Sequence, residues 1–138
     1  MMVTYLLDTN TVSYIAKGKS PAARARLEAL GEEEIVCISS ITEAELRYGL
    51  AKRPAAHALR AAVEALLFKL RILPWGSKEA DAYGGLRAKL EAAGITLSEF
   101  DMLIAAHALA VGAVLVTNDK VFLHVEDVDA TVNWASDL

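Results

Sequence analysis

Four acidic residues stand where carboxylates could do chemistry together. Asp8 ends the apolar run in "YLLDTNT", and Asp119 follows the apolar run "AVLVT". Glu45 in "SITEAEL" and Asp101 in "SEFDMLIAA" lie near the starts of two helical patterns. Four carboxylates that meet in a fold raise one another's pKa values unless a cation lies among them. Oxygen-only ligands suit Mg²⁺ or Mn²⁺, and such a site can activate water against a phosphodiester, which is the chemistry of nucleases.

The two acids near helix starts also have a structural explanation. Ser40 and Glu43 have the Ser-x-x-Glu spacing of a capping box, which accounts for Glu43 and leaves Glu45 over. Ser98 and Asp101 have the same spacing, so Asp101 could simply be a helix-start acid. The helix after Asp101 is apolar nearly all round, however, so its first turn is expected to face an interior crevice.

The two acids at strand ends have similar alternatives. Asp8 could cap the helix that follows it, and Asp119 could belong to a turn. Both acids nevertheless follow strands with no polar alternation, which is typical of a sheet covered on both faces. In parallel sheets the functional crevice lies beyond the carboxyl ends of the strands. All four acids are therefore expected near one edge of the sheet.

The elements that would position these acids alternate along the chain. Strands are predicted at "MVTYLL", "IVCIS", "RILPW" and "AVLVT", with a last one around "ATVNW". Pro74 indicates that the third of these strands lies at an edge of the sheet, because proline cannot donate a hydrogen bond to a neighbouring strand. Helices are predicted at residues 9–17, 22–30, 41–50, 55–70, 78–92 and 98–111, and Gly94 and Gly112 end the last two. This order predicts an α/β fold with a mostly parallel sheet.

Composition sets outer limits on the function. The 138 residues suit one domain, 1–138, and the net charge of -4 does not suggest a general nucleic-acid binder. Cys37 is the only cysteine, so no internal disulfide can form, and a reducing compartment is expected. No signal-like segment opens the chain, and no apolar run is long enough for a membrane span. We therefore expect a cytoplasmic protein that does not enter a membrane.

Longer stretches of the sequence resemble the PIN-domain family, and within it the VapC-type toxins of toxin–antitoxin pairs. The stretches are "LLDTNTVSYI", "SSITEAELRYG", "FDMLIAAHALAVGAVLVTND" and the intervening "ILPW...A..YG.LRAKLEAAG". They cover nearly the whole chain in the family's order and spacing. The resemblance implies a three-layer α/β/α sandwich and a Mg²⁺-dependent endoribonuclease, with Mn²⁺ as a possible substitute.

The resemblance also implies roles for particular residues. It makes Asp8, Glu45, Asp101 and Asp119 the four catalytic and metal-binding acids, with Asp8 and Asp101 holding the main ion. It selects Glu45 rather than Glu43, and Glu45 could take a proton from the attacking water. Polar residues that match supporting positions of the family are Thr117, Asn10 and Asn118.

The family further implies a cognate antitoxin, an RNA substrate and a homodimer. The Ala-rich helix at 55–70 and the apolar helix at 98–112 offer surface for such contacts. This chain departs from the family at "SEF" before the third acid and at "HVEDVDATVNW" after Phe122. Both departures leave the four acids in place.

Some remaining residues are expected to have structural roles. Cys37 and His107 are expected to be buried, and Trp75 and Trp134 to pack rather than to stack on bases. Arg47 is expected nearer the acids. A group of cations near the first helix pair could contact RNA or face solvent, namely Lys17, Lys19, Arg24 and Arg26.

Two other functions fit parts of the pattern. "LLDTNT" is one residue away from the D-x-D-x-T motif of haloacid-dehalogenase-like phosphatases, in which Asp8 would be the nucleophile. That assignment gives Glu45 no role. A non-catalytic module with an acidic pocket is the second alternative, and four acids at catalytic spacing argue against it.

Overall fold

The structure is a computed structural model that describes residues 1–125 and 131–138. Five strands and six helices are found in these ranges, with a short 3-10 helix at Lys120–His124. The strands are β1 Val3–Leu7, β2 Glu34–Ser39, β3 Arg71–Leu73, β4 Val114–Val116 and β5 Thr131–Val132. The helices are α1 Thr9–Ala16, α2 Pro21–Glu28, α3 Ser40–Ala51, α4 His57–Lys69, α5 Ser77–Ala92 and α6 Glu99–Val111.

The strands form one sheet in the order β3-β2-β1-β4-β5. All four pairings are parallel, so the predicted mostly parallel sheet is confirmed. β3 lies at an edge, as Pro74 indicated. β1 lies at the centre and is paired on both sides, so the residue that follows it enters the middle of the carboxyl edge.

Alternate side chains of the strands enter two separate cores. Leu7 and Ile38 pack with α1 to α4 on one face of the sheet, whereas Leu6 and Leu115 pack with α5 and α6 on the other. Neighbouring residues of a strand point to opposite faces, so Leu6 and Leu7 are both fully buried but belong to different cores. The expected three-layer α/β/α arrangement is confirmed.

The start of α3 differs from the prediction. Ser39, the last residue of β2, caps the helix, and its Oγ accepts a hydrogen bond from the Ile41 backbone N–H at 3.1 Å. Ser40 is already helical and its Oγ accepts from the Trp75 backbone N–H, so the predicted capping box of Ser40 and Glu43 is wrong. The strand here runs directly into the helix, which leaves no loop in which Ser40 could cap.

The start and end of α6 follow the prediction. The Asp101 backbone N–H donates to Ser98 Oγ at 3.1 Å, and Gly112 ends the helix with a φ of 68°. Gly94 ends α5 with a φ of 71°. L-residues with a side chain rarely adopt this left-handed conformation, which explains why glycine ends both helices.

The end of the chain packs back onto the first core. Trp134 lies 5.3 Å from the ring of Tyr5, and the Arg26 guanidinium lies 5.0 Å from the Trp134 ring. Asp137 accepts hydrogen bonds from Ser20 Oγ and the Ala22 backbone N–H. The predicted last strand is present as β5, whereas residues 126–130 of the departing "HVEDVDATVNW" stretch lie outside the described ranges.

Several single-residue expectations are settled by burial and pairing. Cys37 is buried, and burial raises the pKa of its thiol to about 11. Trp75 donates its indole N–H to the Leu103 carbonyl oxygen at 3.0 Å, which is a packing role. Arg47 pairs with Glu43 and Glu64 on the surface. Among the described residues, no helix is long and apolar enough to cross a membrane.

His107 is a buried polar residue of α6 that contacts the cap of α3. Its Nδ1 lies 2.8 Å from Ser39 Oγ, and its Nε2 has no hydrogen-bond partner among the described residues. Burial lowers the pKa of His107, and the buried carboxylate of Glu79 opposes that shift. The predicted packed histidine is confirmed, and it ties α6 to the cap of α3.

The lowered pKa of His107 predicts a loss of stability in acid. The unfolded chain takes up a proton near the ordinary pKa of histidine before the folded chain does, so stability falls as the pH drops below that value. A His107→Asn variant should lose this dependence, by at most about 1.4 kcal/mol per pH unit. Urea unfolding at neutral pH and near pH 5.5 measures it, with the exposed His57→Asn as control. An unchanged pH dependence in His107→Asn would contradict this assignment.

Candidate active site

Asp8 lies directly after the central strand β1. Its backbone N–H donates to the Val116 carbonyl oxygen at 3.0 Å, which extends the pairing of β1 with β4 by one residue. Its Oδ1 accepts from the Thr11 backbone N–H at 2.8 Å and so caps α1. The two explanations offered for Asp8 are therefore not exclusive: one carboxylate oxygen caps the helix, and the residue still lies at the carboxyl edge of the sheet.

The environment of Asp8 disfavours its negative charge. The side chain is only 4% exposed, and burial raises its pKa above the ordinary value of 3.8. Hydrogen bonds from Thr117 and Thr11 work in the opposite direction, and the charge of Asp101 raises the pKa further. A buried carboxylate in this state is stabilised by a cation.

Glu45 reaches the same region from α3. Its Oε1 accepts from Thr9 Oγ1 at 2.6 Å, and Thr9 Oγ1 also lies 3.2 Å from Thr42 Oγ1. Burial raises the pKa of Glu45, the Thr9 hydrogen bond lowers it, and the charges of Asp101 and Asp8 raise it. Thr9 thus fixes the carboxylate of Glu45 in position.

Asp101 is the acid that acts on both of the others. It lies in the first turn of α6 and is partly buried. Its charge contributes to the raised pKa values of Asp8 and Glu45, so the three carboxylates share one electrostatic environment. They come from three different elements, and the parallel sheet brings them together.

Asp119 is placed differently from the other three acids. It is exposed, and its Oδ1 accepts from the Val121 backbone N–H at 3.1 Å, which caps the 3-10 helix. Its backbone N–H donates to Thr117 Oγ1 at 3.0 Å, and the Thr117 hydroxyl also bonds Asp8. Thr117 therefore connects the turn of Asp119 to Asp8, while Asp119 is not among the causes of the raised pKa values of Asp8 and Glu45.

The donor set suits a hard divalent cation, but the side chains do not enclose a finished site. Carboxylate and hydroxyl oxygens surround buried Asp8, and oxygen ligands are those that Mg²⁺ prefers. Within residues 1–125 and 131–138, no group of three His, Cys, Asp or Glu side chains is close enough together to hold a metal ion. Mg²⁺ usually takes one or two carboxylates from the protein and keeps several waters, so Asp8 and Asp101 are the residues that would hold it.

The supporting residues predicted from the sequence have unequal positions. Thr117 is buried and bonds Asp8, Asn118 is half-buried, and Asn10 is exposed on α1. Sequence reasoning missed Thr9, whose hydroxyl donates a hydrogen bond to Glu45 Oε1 at 2.6 Å. The signal for Thr9 was its position beside Asp8 in "DTN", but only the three-dimensional structure reveals that its hydroxyl reaches α3.

Three comparisons with known proteins agree with this arrangement. The PIN domain model matches residues 5–128 of the chain. The Ribonuclease VapC2 of Rickettsia felis is 36% identical over 83% of this chain and 86% of its own length. The tRNA(fMet)-specific endonuclease VapC of Salmonella typhimurium is 36% identical over 86% of this chain and 88% of its own length.

Solved structures of toxin–antitoxin complexes have the same fold. One is VapBC2 from Rickettsia felis, bound to a DNA fragment from the promoter. A chain of that structure matches with a TM-score of 0.89 and 33% sequence identity, and the match covers 96% of this chain and 99% of that chain. DNA-bound VapBC from Salmonella typhimurium gives a TM-score of 0.86 and 34% identity, with the same coverage.

Proposed function

The chain belongs to the PIN domain family, and we propose that it is a metal-dependent endoribonuclease that acts as the toxin of a toxin–antitoxin pair. One observation carries the proposal. Asp8, Glu45 and Asp101 come from three elements at the carboxyl edge of the sheet, and the charge of Asp101 raises the pKa values of both Asp8 and Glu45, in a chain whose similar proteins are named ribonucleases.

The proposed metal site uses all four predicted acids. PIN-domain nucleases of the VapC kind are metal-dependent in general. We propose Mg²⁺ for this chain, with Mn²⁺ able to substitute, held mainly by Asp8 and Asp101 and completed by Asp119 and Glu45. When bound, the ion supplies activation of water and stabilisation of the charge that develops on the phosphodiester.

The chain's own residues would divide the remaining work. Glu45 takes a proton from the attacking water, since its partly buried carboxylate has a raised pKa and is held in position by the Thr9 hydroxyl. Thr9 orients Glu45, and Thr117 orients Asp8 and the turn that carries Asp119. Asn10 and Asn118 lie near these acids in sequence and offer further polar contacts to the substrate.

The proposed partners are an RNA and a cognate antitoxin. The similar solved structures are complexes of toxin with antitoxin, and a negatively charged chain suits a basic partner segment. We also propose a homodimer, since α4 and α6 expose Phe68, Phe100 and Leu109. The proposal places the activity in the cytoplasm, where the RNA substrates are.

Total cellular RNA incubated with the purified, antitoxin-free chain tests the nuclease. We expect a discrete cut that requires Mg²⁺ and is lost in Asp101→Asn, and mapping the 5′ ends of the fragments locates it. Initiator tRNA is the first purified RNA to test, because two of the similar proteins are named for cutting it. If the folded, Mg²⁺-loaded chain leaves all RNA intact, a non-catalytic acidic pocket becomes the better explanation. Hydrolysis of a phosphomonoester instead would favour the phosphatase alternative.

A further inference from the structure

A cleft runs away from Glu45 between α1, α3 and α4. It has a volume of about 210 Å³, and its acidic end is formed by Glu45 with Thr9 and Asn10. Its opposite end is formed by three cations, Lys17, Lys52 and Arg53. The cleft therefore changes sign along its length, from the proposed catalytic acids to a basic end.

Helical periodicity explains how two helices produce this change of sign. On α3, Glu45, Gly49 and Lys52 are spaced at i, i+4 and i+7, so they lie along one face. On the α1 side, Asn10 and Lys17 are also seven residues apart. Seven residues of helix span about 10 Å, which separates each cation from the acidic end by that distance.

The three cations are available to a ligand. None of Lys17, Lys52 and Arg53 forms an ion pair with a carboxylate in residues 1–125 and 131–138. The Lys52 ammonium lies 4.7 Å from the centre of the exposed Tyr48 ring. Three arginines outside the cleft do form ion pairs: Arg26 with Glu34, Arg47 with Glu43 and Glu64, and Arg87 with Glu91. The three cations of the cleft are therefore free to meet phosphates at its basic end.

Gly49 keeps the middle of the cleft open. It lies inside α3, where glycine weakens a helix relative to alanine. A Cβ added at Gly49 would meet no atom within 4 Å, so packing does not require glycine there. Helix stability alone would favour a residue with a side chain at this position. A bound ligand strand that has to pass Gly49 would explain why no side chain is present there.

We propose that this cleft holds a single-stranded segment of the RNA substrate next to the cut, with backbone phosphates on Lys17, Lys52 and Arg53. The inference rests on the proposed nuclease function and adds the path of the substrate. Phosphates of the strand match the basic end, while the scissile phosphate lies at the acids. An unpaired segment can follow the cleft between the three helices, so the proposed occupant is a loop or end of the RNA.

The salt dependence of RNA binding tests the path. In the non-cleaving Asp101→Asn background, a labelled single-stranded RNA oligonucleotide is titrated at several salt concentrations. Each phosphate contact that is lost lowers the slope of log affinity against log salt by about 0.7. Lys52→Ala with Arg53→Ala should therefore lower the slope by about 1.4 and weaken binding roughly tenfold at moderate salt. The charge-matched control is Lys69→Ala with Lys78→Ala, two cations outside the cleft.

Gly49→Gln is a second variant that separates binding from folding. A long, uncharged side chain at this position should obstruct the strand and weaken RNA binding at least tenfold, while thermal unfolding occurs at an equal or higher temperature. Gly49→Ala serves as its small control, with a more stable helix and only a small loss of binding. Unimpaired binding by Gly49→Gln would overturn the proposed path.

The remaining outcomes distinguish this inference from the function on which it rests. If the parent binds and cuts RNA but the cleft variants behave like the Lys69/Lys78 control, the path is wrong and the nuclease stands. If the cleft variants keep RNA binding but lose the antitoxin, the cleft belongs to the protein partner and the inference is overturned. If the parent neither binds nor cuts any RNA, both proposals fail.

Discussion

Asp8→Asn is expected to abolish RNA cleavage and, at the same time, to stabilise the metal-free protein. The loss of cleavage follows from removing a charged ligand from the proposed metal site, and at least about a 1,000-fold decrease is expected. The gain in stability follows from the buried position of Asp8, where the negative charge is disfavoured. Both effects have the same cause. The negative charge of Asp8 is needed to bind the metal ion, but it destabilises the fold when no ion is bound.

The sign of the stability effect follows from the direction of the pKa shift. The folded-state pKa of Asp8 is raised, so the stability it contributes is present below its ordinary pKa of 3.8 and is lost as the pH rises through the folded value. At neutral pH the ionised side chain therefore destabilises the fold. Asparagine is uncharged at every pH, and its Oδ1 can still accept the Thr11 N–H that caps α1.

Thermal unfolding with and without Mg²⁺ measures the effect. In a chelator, Asp8→Asn should unfold at a higher temperature than the parent, and each kcal/mol gained moves the midpoint by about 3–4 °C in a domain of this size. Mg²⁺ should raise the midpoint of the parent more than that of the variant, because only the parent binds the ion well. A variant that unfolds earlier than the metal-free parent would contradict the destabilising role of Asp8.

Glu45→Gln is expected to separate metal binding from catalysis. Glutamine keeps an oxygen that can accept the Thr9 hydrogen bond but cannot take a proton from water. Loss of a general base typically costs about 100- to 10,000-fold in rate. We therefore expect single-turnover cleavage to fall within that range, while the Mg²⁺ concentration that half-saturates thermal stabilisation changes little.

Thr9→Val is the matched variant for Glu45→Gln. It keeps the carboxylate and removes only the hydroxyl that positions it, so cleavage should fall by less than in Glu45→Gln. Full cleavage activity in Glu45→Gln would rule out Glu45 as the base. Loss of Mg²⁺-dependent stabilisation in that variant would instead make Glu45 chiefly a metal ligand.

The sheet was predictable from sequence because its signals are local and strong. Runs such as "AVLVT" contain no polar alternation, and Gly94 and Gly112 end helices through a backbone conformation that other residues avoid. The start of α3 was not predictable in this way. Ser39 and Ser40 are identical side chains at neighbouring positions, and the pairing of Ser39 with Leu73 in the sheet, not its type, makes it the cap.

The candidate site shows the same limit. The positions of Asp8, Glu45 and Asp101 could be expected from strand and helix ends, but the hydroxyl of Thr9 reaches Glu45 across 36 residues of sequence. Arg47 lies two residues after Glu45, and the sequence did not indicate that its guanidinium pairs with Glu64 on α4. Spacing along a chain indicates which face a residue occupies and does not identify the partner that its side chain finds there.

The central position of β1 also determines when the activity can arise during synthesis. Asp8 is made first, but its backbone N–H bonds Val116, which leaves the ribosome 108 residues later. At about 5–20 residues per second, roughly 5 to 20 seconds of translation separate the two. During that interval the nascent chain lacks β4, the strand that completes the pairing of β1. For most of the interval it also lacks Asp101. We therefore expect the catalytic acids to come together only when nearly all of the chain has been made.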